Sequence, residues 1–217
     1  MISNIDVFTS TPLCEIMGRN KSDKGCKDIA NSWHNYTTVY YHLFKDLQIK
    51  PLRIFELGLG TNNINLASNM GADGRPGASL YGWNEFFVNS KFFGADIDKD
   101  ILFDTETIKT FFCDQTDPII IANMWGLSEL DEKFDIIIDD GLHTYDANVC
   151  FFENSIHKLA PGGYFIVEDI MKTDIDKFNH KIVEWKNTFS DLEYTIMELP
   201  SYTNNHDNVL LVIHKSI

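Results

Sequence analysis

The stretch Asp135–His143, DIIIDDGLH, and the stretch Gly162–Asp169, GGYFIVED, each end an apolar run in carboxylates, and the first adds a histidine. Asp139, Asp140, His143, Glu168 and Asp169 thus stand at the ends of what read as two neighbouring buried strands. Carboxylates are costly to bury unless they are paired, hydrogen-bonded or bound to a metal. Either these strand ends reach water or something positive sits among them. Asp140, Glu168 and Asp169 sharing one cleft would raise one another's pKa unless a cation neutralised them. Hard oxygen donors on an open site suit Mg2+, which keeps some waters or takes substrate oxygens. A dication so placed can chelate neighbouring hydroxyls, orient one and lower its pKa. His143, three residues past Asp140, is the available general base.

The elements that must position these groups follow from apolar periodicity and turn residues. Residues 1–25 are polar and read as a cover rather than a core. The stretch 28–48 spaces Trp33, Tyr36, Tyr40, Phe44 and Leu47 by threes and fours, which predicts an amphipathic helix. LRIFELGLG reads as a buried strand entering a glycine turn, and a long loop follows over 61–78, a length that tends to be functional or mobile. Ser79 caps a helix over 80–89, and KFFGADID and IKTFFCDQTD are strands that also end in acid. Helices are expected over 118–130, over TYDANVCFFENSIHKLA and over 174–189, with KFDIIIDD and YFIVED as the intervening strands. LEYTIMELP and NVLLVIHK are too close for a crossover helix and are expected to pair antiparallel.

This alternation predicts an α/β fold: a mostly parallel seven-stranded sheet with an antiparallel last strand and helices on both faces. In such sheets ligands sit outside the carboxyl ends of the strands. Glu56, Asp96, Asp114-Gln115, Asp139-Asp140 and Glu168-Asp169 are all strand carboxyl ends, so acids converge on one rim. Gly58 and Gly60 let backbone approach a ligand closely, but GLGTNN lacks the third glycine of a dinucleotide fingerprint, and the chain has no phosphate-cradling G-x-x-x-x-G-K-[ST]. Glu56 beside that turn disfavours pyrophosphate and favours a cationic ligand such as a sulfonium. Asp96 is placed to accept from ribose hydroxyls, and Asp114 from an adenine amino group.

ELGLG with acids after the second and third strands resembles the class I, Rossmann-like S-adenosylmethionine-dependent methyltransferases. SDKG, WHNYTTVYYHLF, PGASLYGWNEFF, FGADID, CDQTDP, FDIIIDDGLH and PGGYFIVEDI, in that order, are similar to the metal-dependent sugar O-methyltransferases of the macrocin and mycinamicin type. The likeness runs from about Lys21 to Ile170; the loop at 61–78 and Leu142 depart from it, on the acceptor side. It implies S-adenosylmethionine and Mg2+ as cofactors, with Asp140, Glu168 and Asp169 as metal ligands and His143, beside Asp140, as catalytic base. It assigns Glu56, Gly58, Gly60, Asp96, Asp114, Gln115, Asp139, Tyr36 and Ser79 to the cofactor pocket. Tyr36 and Trp83 are candidates to close that pocket, with core packing the alternative for Trp83. Residues 1–50 then form an N-terminal helical cap and 51–217 the cofactor-binding domain, acting on a hydroxyl of a sugar, a glycan or a glycosylated small molecule.

Composition narrows the alternatives. A net charge of −14 over 217 residues argues against nucleic acid or anionic lipid as a partner. No apolar run is long enough to span a bilayer, no signal peptide is read at the start, and Cys14, Cys26, Cys113 and Cys150 are too scattered for a disulfide framework, so a cytoplasmic protein is expected. Sixteen Phe leave room for an apolar face and a homo-oligomer. The rival readings are a nicotinamide-dependent oxidoreductase, against which the missing glycine weighs, a non-catalytic cofactor-binding subunit, and a metal-free amine methyltransferase.

Overall fold

The computed structural model describes residues 5–217. Strands β1 (Arg53–Leu57), β2 (Lys91–Asp96), β3 (Ile108–Phe112), β4 (Phe134–Asp139), β5 (Leu159–Val167), β6 (Leu192–Glu198) and β7 (Val209–Lys215) form one sheet in the order β3-β2-β1-β4-β5-β7-β6. The pairs from β3 through β5 are parallel, while β7 runs antiparallel to both β5 and β6. The Rossmann-like architecture expected from the alternation is therefore present, and the order reverses between β1 and β4, where such folds bind ligands.

Strand alternation divides the core into two layers. Ile54, Ile136, Ile138 and Ile166 face α1 (Pro12–Asn20), α2 (Tyr36–Phe44) and α3 (Ala78–Phe86). Phe55, Leu57, Ile137, Phe165 and Val167 face α4 (Pro118–Trp125), α5 (Tyr145–Ser155) and α6 (Ile175–Thr188). Glu56 shares the parity of Ile54, and Glu168 that of Ile166, so both acids point into the first layer. Asp139 shares the parity of Ile137 and points into the second.

Four expectations are corrected. Ser79 lies inside α3 rather than capping it, because the helix starts at Ala78 behind a left-handed Gly77. The N-terminal stretch is not only a cover: Leu13, Cys14 and Met17 of α1 are fully buried, and Met17 lies where any side chain at Gly82 would sit. Thr11 caps this helix and Pro12 occupies its first turn, signals that outweigh the polar average of the segment. The helix over 28–48 is shorter, with 3-10 turns at Ile29–Asn31 and Lys45–Leu47 and regular helix only over Tyr36–Phe44. Trp33 therefore leaves the helical face and stands half exposed, at 51%. Finally, β5 begins at Leu159 rather than Tyr164, because the Pro161-Gly162-Gly163 segment continues it after a shift in register against β4.

Candidate active site

A cavity of about 430 Å³ opens over the carboxyl ends of β1, β2, β3, β4 and β5. Its cofactor side is largely backbone. Gly58 and Gly60 adopt φ of 91° and 76°, a region that strains any other residue. A Cβ at Gly58 would stand 1.8 Å from the Asp140 carbonyl oxygen, so the first turn and the end of β4 touch through this glycine. Asp96 braces the turn from β2: its Oδ2 accepts from Leu59 N at 2.7 Å and its Oδ1 from Asp98 N at 2.8 Å. Asp114, Gln115 and Ser79 line the same wall, and burial raises the Asp96 carboxyl above its usual value.

The loop after β1 folds back across the mouth. Asn62 Nδ2 donates to the carbonyls of Gly71 (2.6 Å) and Gly74 (2.9 Å), closing the loop on itself. Ala67, Ser68, Asn69 and Met70 line the cavity, and Ser68 Oγ donates to Leu142 O at 3.0 Å. The length of this segment has a structural counterpart: it is a flap pinned to the β4 end.

The opposite wall is charged side chain. His143 Nε2 lies 3.2 Å from Asp140 Oδ1 and its Nδ1 3.5 Å from Asp169 Oδ2. Burial would lower the His143 pKa, but the hydrogen bond to Asp140 and the charge of Asp169 raise it to about 10. Tyr36 OH donates to Asp169 Oδ1 at 2.7 Å and to Asp207 O at 3.0 Å. His143 and Asp169 adopt φ of 61° and 55°, strain of about 1–3 kcal/mol each that is usual where backbone is held for function. Ligand atoms of Asp140, His143 and Asp169 fall within 4.8 Å of one another, as do those of His34, Asp169 and Asp207. Two carboxylates opening onto a cavity fit a hard dication, for which a histidine nitrogen is the less suited donor.

Behind that wall lies a second ionic cluster. Lys24 is only 1% exposed, and its Nζ donates to Glu168 Oε2 at 2.6 Å and to Asp140 Oδ2. Glu56 Oε1 stands 3.2 Å from the same Nζ and has no hydrogen-bond partner, while Glu56 Oε2 accepts from Trp83 Nε1 at 2.8 Å. Tyr40 OH donates to Glu168 Oε1. Burial would discharge Lys24, but Asp140, Glu168 and Glu56 outweigh it and raise its pKa well above the ordinary lysine value. Burial also pushes Glu168 far up, against the pull of Lys24, whereas Asp140 is held well below the usual range by Lys24 and His143 despite its burial. Strand ends carrying this many acids needed a positive partner, and the chain supplies one.

The structure thus brings Gly58, Gly60, Ser79, Asp96, Asp114, Gln115, Asp140, His143 and Asp169 to one cavity. It places the remaining expected residues elsewhere. Glu56 and Trp83 bond each other beneath the turn, and Glu168 faces Lys24 and Tyr40. Asp139 is buried on the α5 side, accepting from Gln115 Nε2 and Asn148 Nδ2, with its carboxyl raised by burial to about 7. Tyr36 reaches the site only through its hydroxyl. Lys24, Trp33, His34 and Asp207 were missed: Lys24 and Asp207 lie in segments with no periodicity to assign them a face, while Trp33 and His34 fall in a stretch whose spacing assigned them to a helix that starts only at Tyr36.

The fold is that of the class I, Rossmann-like methyltransferases. The MycE methyltransferase of the mycinamycin biosynthetic pathway, solved in complex with Mg and SAH, superposes with a TM-score of 0.69 at 23% identity, over 96% of this chain and 56% of that one. In sequence the chain is similar to sugar O-methyltransferases, so the resemblance drawn from its motifs is borne out. The 8-demethyl-8-(2-methoxy-alpha-L-rhamnosyl)-tetracenomycin-C 3'-O-methyltransferase of Streptomyces olivaceus is 30% identical over 164 residues, 75% of this chain and 38% of that protein. The mycinamicin VI 2''-O-methyltransferase of Micromonospora griseorubida is 30% identical over 140 residues, 63% of this chain and 32% of that protein. The chain therefore spans about a third of the length of the curated relatives it matches. No protein-family model matches it.

Proposed function

We propose that this chain is an S-adenosylmethionine- and Mg2+-dependent O-methyltransferase acting on a sugar hydroxyl of a small glycosylated molecule. The observation that carries the reading is one cavity in which the glycine turn of β1 and Asp96 face Asp140, His143 and Asp169. Its sequence relatives are named for O-methylation of rhamnosyl and other glycosylated natural products, which supports a glycoside rather than a polysaccharide as acceptor. The absence of a helix directly after Gly60 weighs against pyrophosphate binding, since α3 starts only at Ala78.

The donor would lie along Gly58, Gly60, Ser79 and Gln115, with Asp96 and Asp114 as acceptors for its hydroxyls and amino group. When bound, the donor supplies a methyl group on a sulfonium, and the ion supplies charge that acidifies the acceptor hydroxyl. Asp140 and Asp169, which face the cavity, would hold the ion, and Glu168 would join them only on exchange of its bond to Lys24. His143, bonded to Asp140 and beside Asp169, would accept the hydroxyl proton, with a bound ion offsetting the two carboxylate charges that raise its pKa. The flap over 61–77 and Trp33 at the mouth exclude water and receive the sugar. The four cysteines are free thiols, in keeping with a cytoplasmic setting.

Calorimetry with S-adenosylhomocysteine, followed by methyl transfer to a rhamnosylated small molecule with and without EDTA, tests the proposal. Binding of the product, with transfer that EDTA stops and Mg2+ restores, is expected. Absence of product binding rejects the donor, and EDTA-resistant transfer rejects the metal.

A further inference from the structure

Lys24 does not face the cavity, yet it holds two of the carboxylates assigned to the ion. Its Nζ bonds Asp140 Oδ2 and Glu168 Oε2 and stands beside the unpartnered Oε1 of Glu56. We propose that Lys24 is an internal cation that competes with the divalent ion for Asp140 and Glu168, so that metal binding is coupled to the seating of the N-terminal segment that carries it. This rests on the reading of Asp140 as a metal ligand.

Three observations support the competition. First, both oxygens of Glu168 are engaged inside the protein, one by Tyr40 OH and the other by Lys24 Nζ, and neither lines the cavity, so a divalent ion there reaches this carboxylate only by displacing the ammonium. Second, an ammonium and a dication draw on the same two carboxylates, and the ammonium, though singly charged, is tethered to the chain and present at fixed effective concentration. Third, the segment bearing Lys24 is anchored by backbone bonds that depend on its position: His34 N donates to Asp23 O at 3.3 Å and Thr37 N to Lys24 O at 3.1 Å. Those two amides report whether Lys24 is seated. His34 itself lines the cavity 3.5 Å from Asp169, so unseating reaches the charged wall directly. Lys24 is thus a positioning residue, acting through Asp140 and Glu168 rather than on substrate.

The experiment is Mn2+ titration followed by the electron paramagnetic resonance of the free ion, without donor or acceptor, together with amide exchange. Lys24→Met is expected to bind Mn2+ at least about tenfold more tightly than the wild type. The charge-matched variant Lys24→Met/Glu56→Gln, in which one positive and one negative charge are lost together, is expected to tighten as well. In the wild type, Mn2+ should speed exchange at the His34 and Thr37 amides. A purely structural lysine would lower stability and leave Mn2+ affinity where it was. Tightening in Lys24→Met alone would mean simple added negative charge, and overturns the competition, as does Mn2+ binding to the wild type with no change at the two amides. Folding of Lys24→Met only in the presence of Mn2+ supports it, since ion and ammonium are then interchangeable. If neither variant folds with Mn2+ present, the lysine does something the ion cannot replace, and the proposal fails. If the wild type binds no Mn2+ but the variants do, the competition stands; if none of the three binds it, the metal reading itself falls.

Discussion

The two walls of the cavity are built by different means. Over β1 and β2 the chain uses backbone: two glycines in left-handed conformations, with Asp96 accepting from Leu59 N of the turn and from Asp98 N just past its own strand. Over β4 and β5 it uses charge: His143 between Asp140 and Asp169, with Lys24 behind them. Backbone is stiff and electrically mild, which suits holding a large ligand in one pose. A charged cluster is responsive, because each group's state depends on its neighbours. The walls meet where Gly58 touches the Asp140 carbonyl.

The largest effect should come from the charged wall alone. His143→Ala and Asp140→Asn should each cut turnover by about 10²–10⁴-fold while leaving S-adenosylhomocysteine affinity within about threefold, measured by calorimetry. Equal losses in both quantities would mean that the walls are not separable. Gly58→Ala attacks the seam between them, where a Cβ meets backbone at 1.8 Å. It should lower stability by about 2–4 kcal/mol in urea unfolding and weaken product and Mn2+ binding together.

Asp96→Asn sharpens the contrast from the other side. It removes the carboxylate charge and one of the two acceptors that tie Leu59 N of the turn and Asp98 N to β2, so product affinity should fall by about tenfold with Mn2+ affinity unchanged. The smallest effect is expected at the mouth. Trp33→Ala removes a half-exposed ring, and acceptor KM should rise by about three- to tenfold with kcat and product binding little altered. A large fall in kcat instead would move Trp33 from acceptor contact to the chemistry.

Much of this was legible in the residues. The alternation of apolar runs and turn signals carried the sheet and its antiparallel end, and acids at successive strand ends located the rim. Strand parity would also have separated Asp139 from Glu56 and Glu168, since period 2 sends neighbours to opposite faces. The shortened helix before Tyr36 was not legible, because Trp33 fits the same spacing as the residues that do turn inward.

By itself, then, the sequence determined the order of elements, the glycine turn and the supply of carboxylates, all of which follow from local periodicity and residue chemistry. Only the tertiary structure decided which carboxylates face the cavity and which face Lys24. That choice depends on a lysine 32 residues before Glu56 and 144 before Glu168, brought beneath the sheet by the packing of α1 and α2. No spacing rule encodes such a contact: burying a charge is tolerated only where distant segments deliver its partners to the same point.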